Sequence, residues 1–292
     1  MNENDKYCAA LVRKADRDRY LATLFAPADR RGALFALYAF DIEMSRIRDL
    51  ARESMPGEIR LQWWREVLEG ARTGEAAANP VAASLLGTLT QYRLTPVRLI
   101  GLVETHRFDI YDEPMPTLAA VQSYASDTAG TIFEHATRIL GEASEEIAIE
   151  AGQTQTIANV IALLPRHTAR RQLFLPLDML QQYGCSPDDV FAMQAGPELR
   201  AVLAEFRLRA RRHIARIAEL SANIPEKIWP AFVSLAPLRP WLNAMESAAY
   251  QPFQPPEMPA WRAQWRIWRA AKRFALTARI TKPLKKSDAI CG

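Results

Sequence analysis

Apolar residues recur at three- and four-residue spacings along nearly the whole chain, and alternating apolar–polar runs are almost absent. The pattern predicts helices throughout and no sheet. Asp29-Arg30-Arg31-Gly32, just after Pro27, leads into 33–40, a stretch apolar on every side. Such a helix has no solvent face, so it belongs at the centre of a bundle. Residues 57–69 predict a second helix with Ile59, Trp63 and Val67 inward. Asn79-Pro80 opens a third, and Pro96 a fourth that runs past His106 toward Tyr111. The 118–140 stretch predicts further helix, interrupted near Thr128-Ala129-Gly130. A long apolar helix over 145–164 is ended or kinked by Pro165. Helices over 187–193, 198–220 and 225–249 complete the series.

Pro252, Pro255, Pro256 and Pro259 make 251–260 a stiff connector. It divides an all-α domain over 1–250 from a basic, Trp-rich tail over 261–292. At ~100° per residue Trp261, Trp265, Trp268 and Lys272 share one face of the tail, and Arg262, Arg266, Arg269 and Arg273 form the adjacent strip. Ala263, Ile267, Ala270 and Phe274 are the apolar far side. The formal charge of +4 conceals an asymmetry. From Ala260 onward there are nine Lys/Arg and one acid, leaving 28 bases and 32 acids before it. A negatively charged partner is therefore met by the tail. Its tryptophans and arginines suit an anionic membrane surface, with each arginine worth ~1 kcal/mol there. The alternative is a helix docked on the body, its tryptophans buried and its arginines paired with acids. Nucleic acid is not an expected partner, because the body offers no basic surface to extend the contact.

With 49% hydrophobic residues and only 12 Gly in 292, the composition fits a helical globule with a large core. No run approaches the ~20 apolar residues of a spanning helix. The charged start, Met1 to Lys6, has no apolar signal region, so secretion is not expected. Cys8, Cys185 and Cys291 are odd in number and far apart, which implies a reducing compartment and no cysteine metal site. The expected location is the cytoplasm, peripherally on the cytoplasmic face of the inner membrane. The chain has no Gly-rich phosphate loop, no GxSxG, and no HxxxH or HExxH pair.

Two segments have the frame of a metal-dependent site without most of its acids. One is Leu37-Tyr-Ala-Phe-Asp-Ile-Glu-Met-Ser-Arg-Ile-Arg-Asp49, the other Ala158-Asn-Val-Ile-Ala-Leu-Leu-Pro-Arg-His-Thr-Ala-Arg-Arg-Gln-Leu-Phe-Leu-Pro176. Mg²⁺ prefers carboxylate oxygens, and acids one helical turn apart present them on one face. Together with 30–40, Arg60-Leu-Gln-Trp-Trp-Arg65, Asn79-Pro-Val-Ala82, Tyr124-Ala-Ser-Asp-Thr-Ala-Gly130 and Leu173-Phe-Leu-Pro176, in that order, these segments resemble the squalene/phytoene synthase family. The resemblance runs from about Tyr20 to Met245 and implies the isoprenoid-synthase helical bundle, here with an appended C-terminal amphipathic helix. It also implies head-to-head prenyl transfer with Mg²⁺, were the acids intact. They are not: the first motif's three acid positions read Ser45, Arg46 and Asp49, and the second's two read Leu163 and His167.

This erosion resembles a degenerate subgroup related to mitochondrial complex I assembly factor 6, which implies a non-catalytic role in respiratory complex I assembly and complex I subunits as partners. No cofactor is expected, and Mg²⁺ only if the chain is an active prenyltransferase. The third reading is a carrier of an isoprenoid or other lipid ligand. Tyr38, Asp41, Ser45, Asp49 and Asp109 are the candidate pocket residues. Arg46, Arg166, His167, Arg170 and Arg171 are candidates for binding an anion without metal, since guanidinium forks match phosphate oxygens. The bland readings are a polar network that fixes helix register and a solvated basic patch. His106, His135 and His213 are isolated in the sequence and support no zinc site.

Overall fold

The computed structural model describes residues 1–50 and 53–281, without the side chains of Leu50 and 273–281. The side chains of Arg273 and Phe274, and all of Cys291, therefore lie outside the described residues. Within them the secondary structure is helical, with one isolated bridge between Gln251 and Gln254. In chain order the α-helices are α1 (Glu3–Ala15), α2 (Arg17–Thr23), α3 (Arg31–Ser45), α4 (Ile47–Leu50), α5 (Ser54–Leu68) and α6 (Thr73–Ala78). Then come α7 (Pro80–Gln91), α8 (Val97–Thr105), α9 (Arg107–Ile110), α10 (Leu118–Ala125), α11 (Thr131–Ile139) and α12 (Glu145–Ala162). The last are α13 (Leu164–Ala169), α14 (Leu177–Gln182), α15 (Pro187–Phe191), α16 (Pro197–Leu220), α17 (Leu238–Ala244) and α18 (Ala260–Thr281).

Helix α3 is the central element, with ten of its 15 residues buried, including all of 33–40. It packs along α1 and α7 on one side and α11 on another. Phe40 meets Trp64 of α5 edge-on at 5.0 Å, which ties the first helices together. A second core, around Ile161, Leu203, Phe206 and Leu242, fills the space between α12, α16 and the segments joining them.

Local signals act where the sequence places them. Asn79 caps α7, its Oδ1 accepting from the amides of Val81 and Ala82 at 2.9 and 3.0 Å, and Pro80 occupies the first turn. The interruption expected near 128–130 is a π-helical turn, Ser126–Gly130, joining α10 to α11. It allows a close approach to α12: a Cβ on Gly152 would stand 2.5 Å from the Gly130 nitrogen. Pro165 lies in the first turn of α13, so α12 ends at Ala162 and the chain restarts.

Two expectations need correction. Ile59 is 65% exposed; Val67 is buried as expected, Trp63 is partly buried against the core, and Gly57, Leu61, Trp64 and Leu68 complete the inward face. The bare backbone of Gly57 receives Ile110 of α9. The span 225–249 is not one helix. Pro230 and Pro237 remove amide donors, and the chain forms two 3-10 turns, Glu226–Ala231 and Val233–Leu235, before α17. Helices α1 and α2 precede the first helix that the apolar pattern predicts, and α1 carries a capping box between Asn2 and Asp5.

Candidate functional site

The ends of α1, α3, α12 and α13, with α4, α9 and α10, enclose a cavity of about 540 Å³. Asp41, Ser45, Arg46, Asp49, Asp109, Arg166 and His167 line it, so both eroded motifs face one space. Tyr38 does not line it; the ring is buried behind Arg19, whose guanidinium lies 5.2 Å from its centroid. Arg170 reaches in only through its bond to Asp49. Arg171 points elsewhere, stacked over Phe191 at 4.9 Å, so the four arginines do not form one anion cradle.

Four carboxylates line the cavity, Asp16, Asp41, Asp49 and Asp109. Each is already bonded. Arg19 donates to Asp41 and lies 3.6 Å from Asp16. Arg166 and Arg170 each take one oxygen of Asp49. Burial works against the Asp49 charge, but the two arginine bonds outweigh it and lower the carboxyl below its usual range. Asp109 meets the Nδ1 of His106 at 2.6 Å and accepts from the hydroxyl of Tyr124 at 2.9 and 3.0 Å. Ser45 turns its hydroxyl back to the carbonyl of Ile42 at 3.2 Å, and Leu163 is an exposed cap residue of α12.

These residues do not fit a Mg²⁺ cluster. Hard cations need several free carboxylate oxygens, whereas here the nearest oxygens are neutralised by arginine, and Arg46 stands where an acid would be required. Among the described residues no three His, Cys, Asp or Glu side chains form a group that could hold a metal ion.

The cavity instead holds two imidazoles with opposite tendencies. Burial disfavours a proton on His106, but the Asp109 carboxylate more than compensates and raises it above the usual range. His167, tilted against Phe174 at 4.5 Å, is pushed down to about 4 chiefly by burial, with Arg166 and Arg170 adding to it. Both rings keep one buried nitrogen without a protein partner, Nε2 of His106 and Nδ1 of His167. The sequence reading missed His106, Tyr124, Lys14, Asp16 and Arg19 as cavity residues. The three-residue spacing of His106 and Asp109 was the available signal, since it puts both on one side of a turn. The other histidines also have partners: His135 bonds the Thr131 carbonyl, and His213 meets Glu150 at 2.6 Å.

The tail helix α18 docks on α2 and the two 3-10 turns. Ala263 and Ile267 are buried, and Trp229 donates through Nε1 to the Ala270 carbonyl at 3.3 Å. Trp261, Trp265 and Trp268 point outward, 66, 47 and 50% exposed. Arg262 and Arg269 lie over the rings of Trp261 and Trp265, each at 5.1 Å, and not against acids. Docking is thus as one expectation had it, but among the described residues its tryptophans are not buried and its arginines are not paired with acids. Arg266 lines the groove beside α16, and Lys272 is exposed. No helix among the described residues is long and apolar enough to cross a membrane.

The sequence profile of squalene/phytoene synthase matches residues 12–269. The chain belongs to the squalene/phytoene synthase family. Among solved structures it is similar to a dehydrosqualene synthase in complex with ligand, with a TM-score of 0.79 at 17% identity over 95% of this chain and 97% of that one. That likeness gives the isoprenoid-synthase-like helical fold. Among relatives it is similar to assembly factor 6 of NADH dehydrogenase (ubiquinone) complex I from Bos taurus, 27% identical over 86% of this chain and 76% of the relative. The Homo sapiens protein of that name gives the same identity and coverage. Presqualene diphosphate synthase of Sinorhizobium fredii is 23% identical over 68% of this chain and 72% of its own length.

Proposed function

We propose that this protein supports assembly of a respiratory NADH dehydrogenase at a membrane surface, and that it does so without prenyl-transfer chemistry. The observation that carries the reading is the occupation of Asp49 by Arg166 and Arg170. An arginine pair seated on the surviving acid replaces the metal that would draw a diphosphate leaving group away. The similarity to assembly factor 6 proteins supports the biological half of the proposal. The exposed Trp and Arg surface of α18 supports the membrane half, since indoles favour the headgroup region and arginines favour anionic lipid. Location is then peripheral, on the cytoplasmic face of an inner membrane, and complex I subunits are the partners.

Deleting the gene and measuring assembled NADH dehydrogenase by native gel tests the first half. A normal level of the assembled complex overturns it. Titration of a farnesyl diphosphate analogue with Mg²⁺ and again with EDTA tests the second. Tight binding only with Mg²⁺ restores the enzyme reading. Binding that ignores EDTA favours a carrier, a reading supported by the two unpartnered imidazole nitrogens and by Arg46 and Lys14 on the cavity wall.

A further inference from the structure

Beside the docked tail lies a groove of about 640 Å³ that the cavity chemistry does not use. It runs between α16, the two 3-10 turns and α18. Its origin is the docking stripe itself: α18 meets the body through Ile267 flanked by Ala263 and Ala270, and the short side chain of Ala270 leaves the space next to it unfilled. The floor is apolar, made by Ile217, Phe232, Val233 and Leu235. The rim is different. Arg239 of α17 and Arg266 and Arg269 of α18 line it with Trp265, and no acidic side chain does. None of the three arginines forms an ion pair among the described residues, and Arg269 rests on the Trp265 ring at 5.1 Å.

We infer that this groove seats one anionic phospholipid, its acyl chain along the apolar floor and its phosphate among Arg239, Arg266 and Arg269. An open apolar floor is unfavourable in water, and a hydrocarbon chain removes that contact. The volume falls within the roughly 300–1,000 Å³ usual for small-molecule sites. Guanidinium groups bind phosphate oxygens through paired, charge-assisted hydrogen bonds. A rim with three cations and no acid favours a lipid with net negative charge over a zwitterion. The indole of Trp265 sits at the junction, where a ring with one polar edge belongs beside a headgroup. An apolar peptide would cover the floor equally well, but it would leave the arginines without partners. The inference rests on the membrane reading above, because the groove opens beside the exposed tryptophans of α18.

The test uses the full chain and lipids that form no bilayer. Dihexanoylphosphatidylglycerol, kept below its micelle concentration, is titrated by calorimetry against dihexanoylphosphatidylcholine and glycerol 3-phosphate. Saturable one-to-one binding of the glycerol lipid is expected, with the choline lipid about tenfold weaker or worse and glycerol 3-phosphate undetected. Arg239→Gln, outside the tail, should weaken binding by about five- to tenfold. Ala218→Phe, at an exposed position on α16 that lines the groove, should block the chain. Both variants should still sediment with phosphatidylglycerol vesicles through α18. Equal binding of the two short lipids, or binding that neither variant changes, overturns the groove. Loss of vesicle binding by the unaltered protein with monomer binding kept overturns the membrane reading and leaves the groove standing.

Discussion

Arg170 donates to Oδ1 of Asp49 across 121 residues of sequence, and Arg166, one turn earlier on the same segment, takes the other oxygen. The two eroded motifs are therefore joined by charge at the place where intact acid pairs would be needed to hold Mg²⁺ between them. Asp49→Asn leaves Arg166 and Arg170 opposed to each other, with Arg46 on the same wall. Stability at pH 7 should fall by about 1–2 kcal/mol, less than for a fully buried pair because both arginines are partly in water. Adding Arg170→Gln should restore part of the loss, read from urea unfolding as a double-mutant cycle. The Asp49 carboxyl is lowered in the fold, so its contribution is present above the unfolded carboxyl range and disappears as pH falls through the depressed value. Additive single-mutant effects would show that the pair is not coupled.

His167 predicts a different acid response. Its folded value is about 4, below the usual imidazole, so the folded state refuses a proton that the unfolded chain accepts. Stability is unaffected above about pH 6.5 and is lost as pH falls from there toward 4, by no more than about 3 kcal/mol. His167→Gln stays neutral throughout. Its stability deficit at pH 7 should therefore shrink between pH 6.5 and 4.5 in denaturant titrations, and a constant difference would rule the effect out.

Asp18 gives the opposite sign. Burial, with Asp16 adding repulsion, raises its carboxyl to about 6. A raised acid is penalised once it must ionise, so the cost grows from the unfolded range near pH 4 up to pH 6 and is complete above it. Asp18→Asn should stabilise the protein by about 1–3 kcal/mol at pH 8 and by little at pH 4. Equal melting-temperature shifts at both pH values would exclude that cause.

Periodicity made the helices legible wherever it was strong and where a proline or asparagine marked an end, as at Asn79, Pro165 and Pro187. It failed where orientation depended on a distant partner. On α5 Trp64 is fully buried and Ile59 exposed, and Gly57 receives Ile110 of α9, a contact that no local pattern encodes. The site shows the same division. Asp41, Ser45, Asp49 and His167 lie on motif frames and reach the cavity. Arg19 and His106 come from segments with no such frame, and only the packing of α2 and α9 against α3 and α10 brings them in. The arginines of the second motif read as a free basic patch in sequence because their partner, Asp49, is over a hundred residues away.

The junction of α12 with the π-helical turn sets a steric prediction. A methyl on Gly152 would come within 2.5 and 2.6 Å of Gly130 backbone atoms and 3.0 Å of the Ala125 carbonyl, none of which can rotate away. Gly152→Ala should lower stability by about 2–3 kcal/mol or more through forced backbone displacement. Gly101, exposed in α8 with nothing near its Cβ position, is the control. Gly101→Ala should stabilise by about 0.5–1 kcal/mol. Thermal melts of both variants check the pair, and similar behaviour would mean that α12 can move away from the turn.

The tail separates docking from display on a single helix. Ile267 is 1% exposed against Ala22 and Val233, whereas Trp261 and Trp268 are more than half or half in solvent. Truncating Ile267 to Ala removes the main apolar contact of α18 and should cost about 2 kcal/mol of local stability, seen as faster amide exchange in 260–272. Trp261→Ala with Trp268→Ala removes no buried contact and should change global stability by less than about 0.5 kcal/mol. The same double variant should lose most of its sedimentation with phosphatidylglycerol vesicles, since each indole contributes its apolar face to the headgroup region. Ile267→Ala, with all three tryptophans present, should keep that binding. Should the tryptophan variant bind vesicles normally while destabilising the fold, the outward face would be structural, and the membrane role of α18 would fall with it.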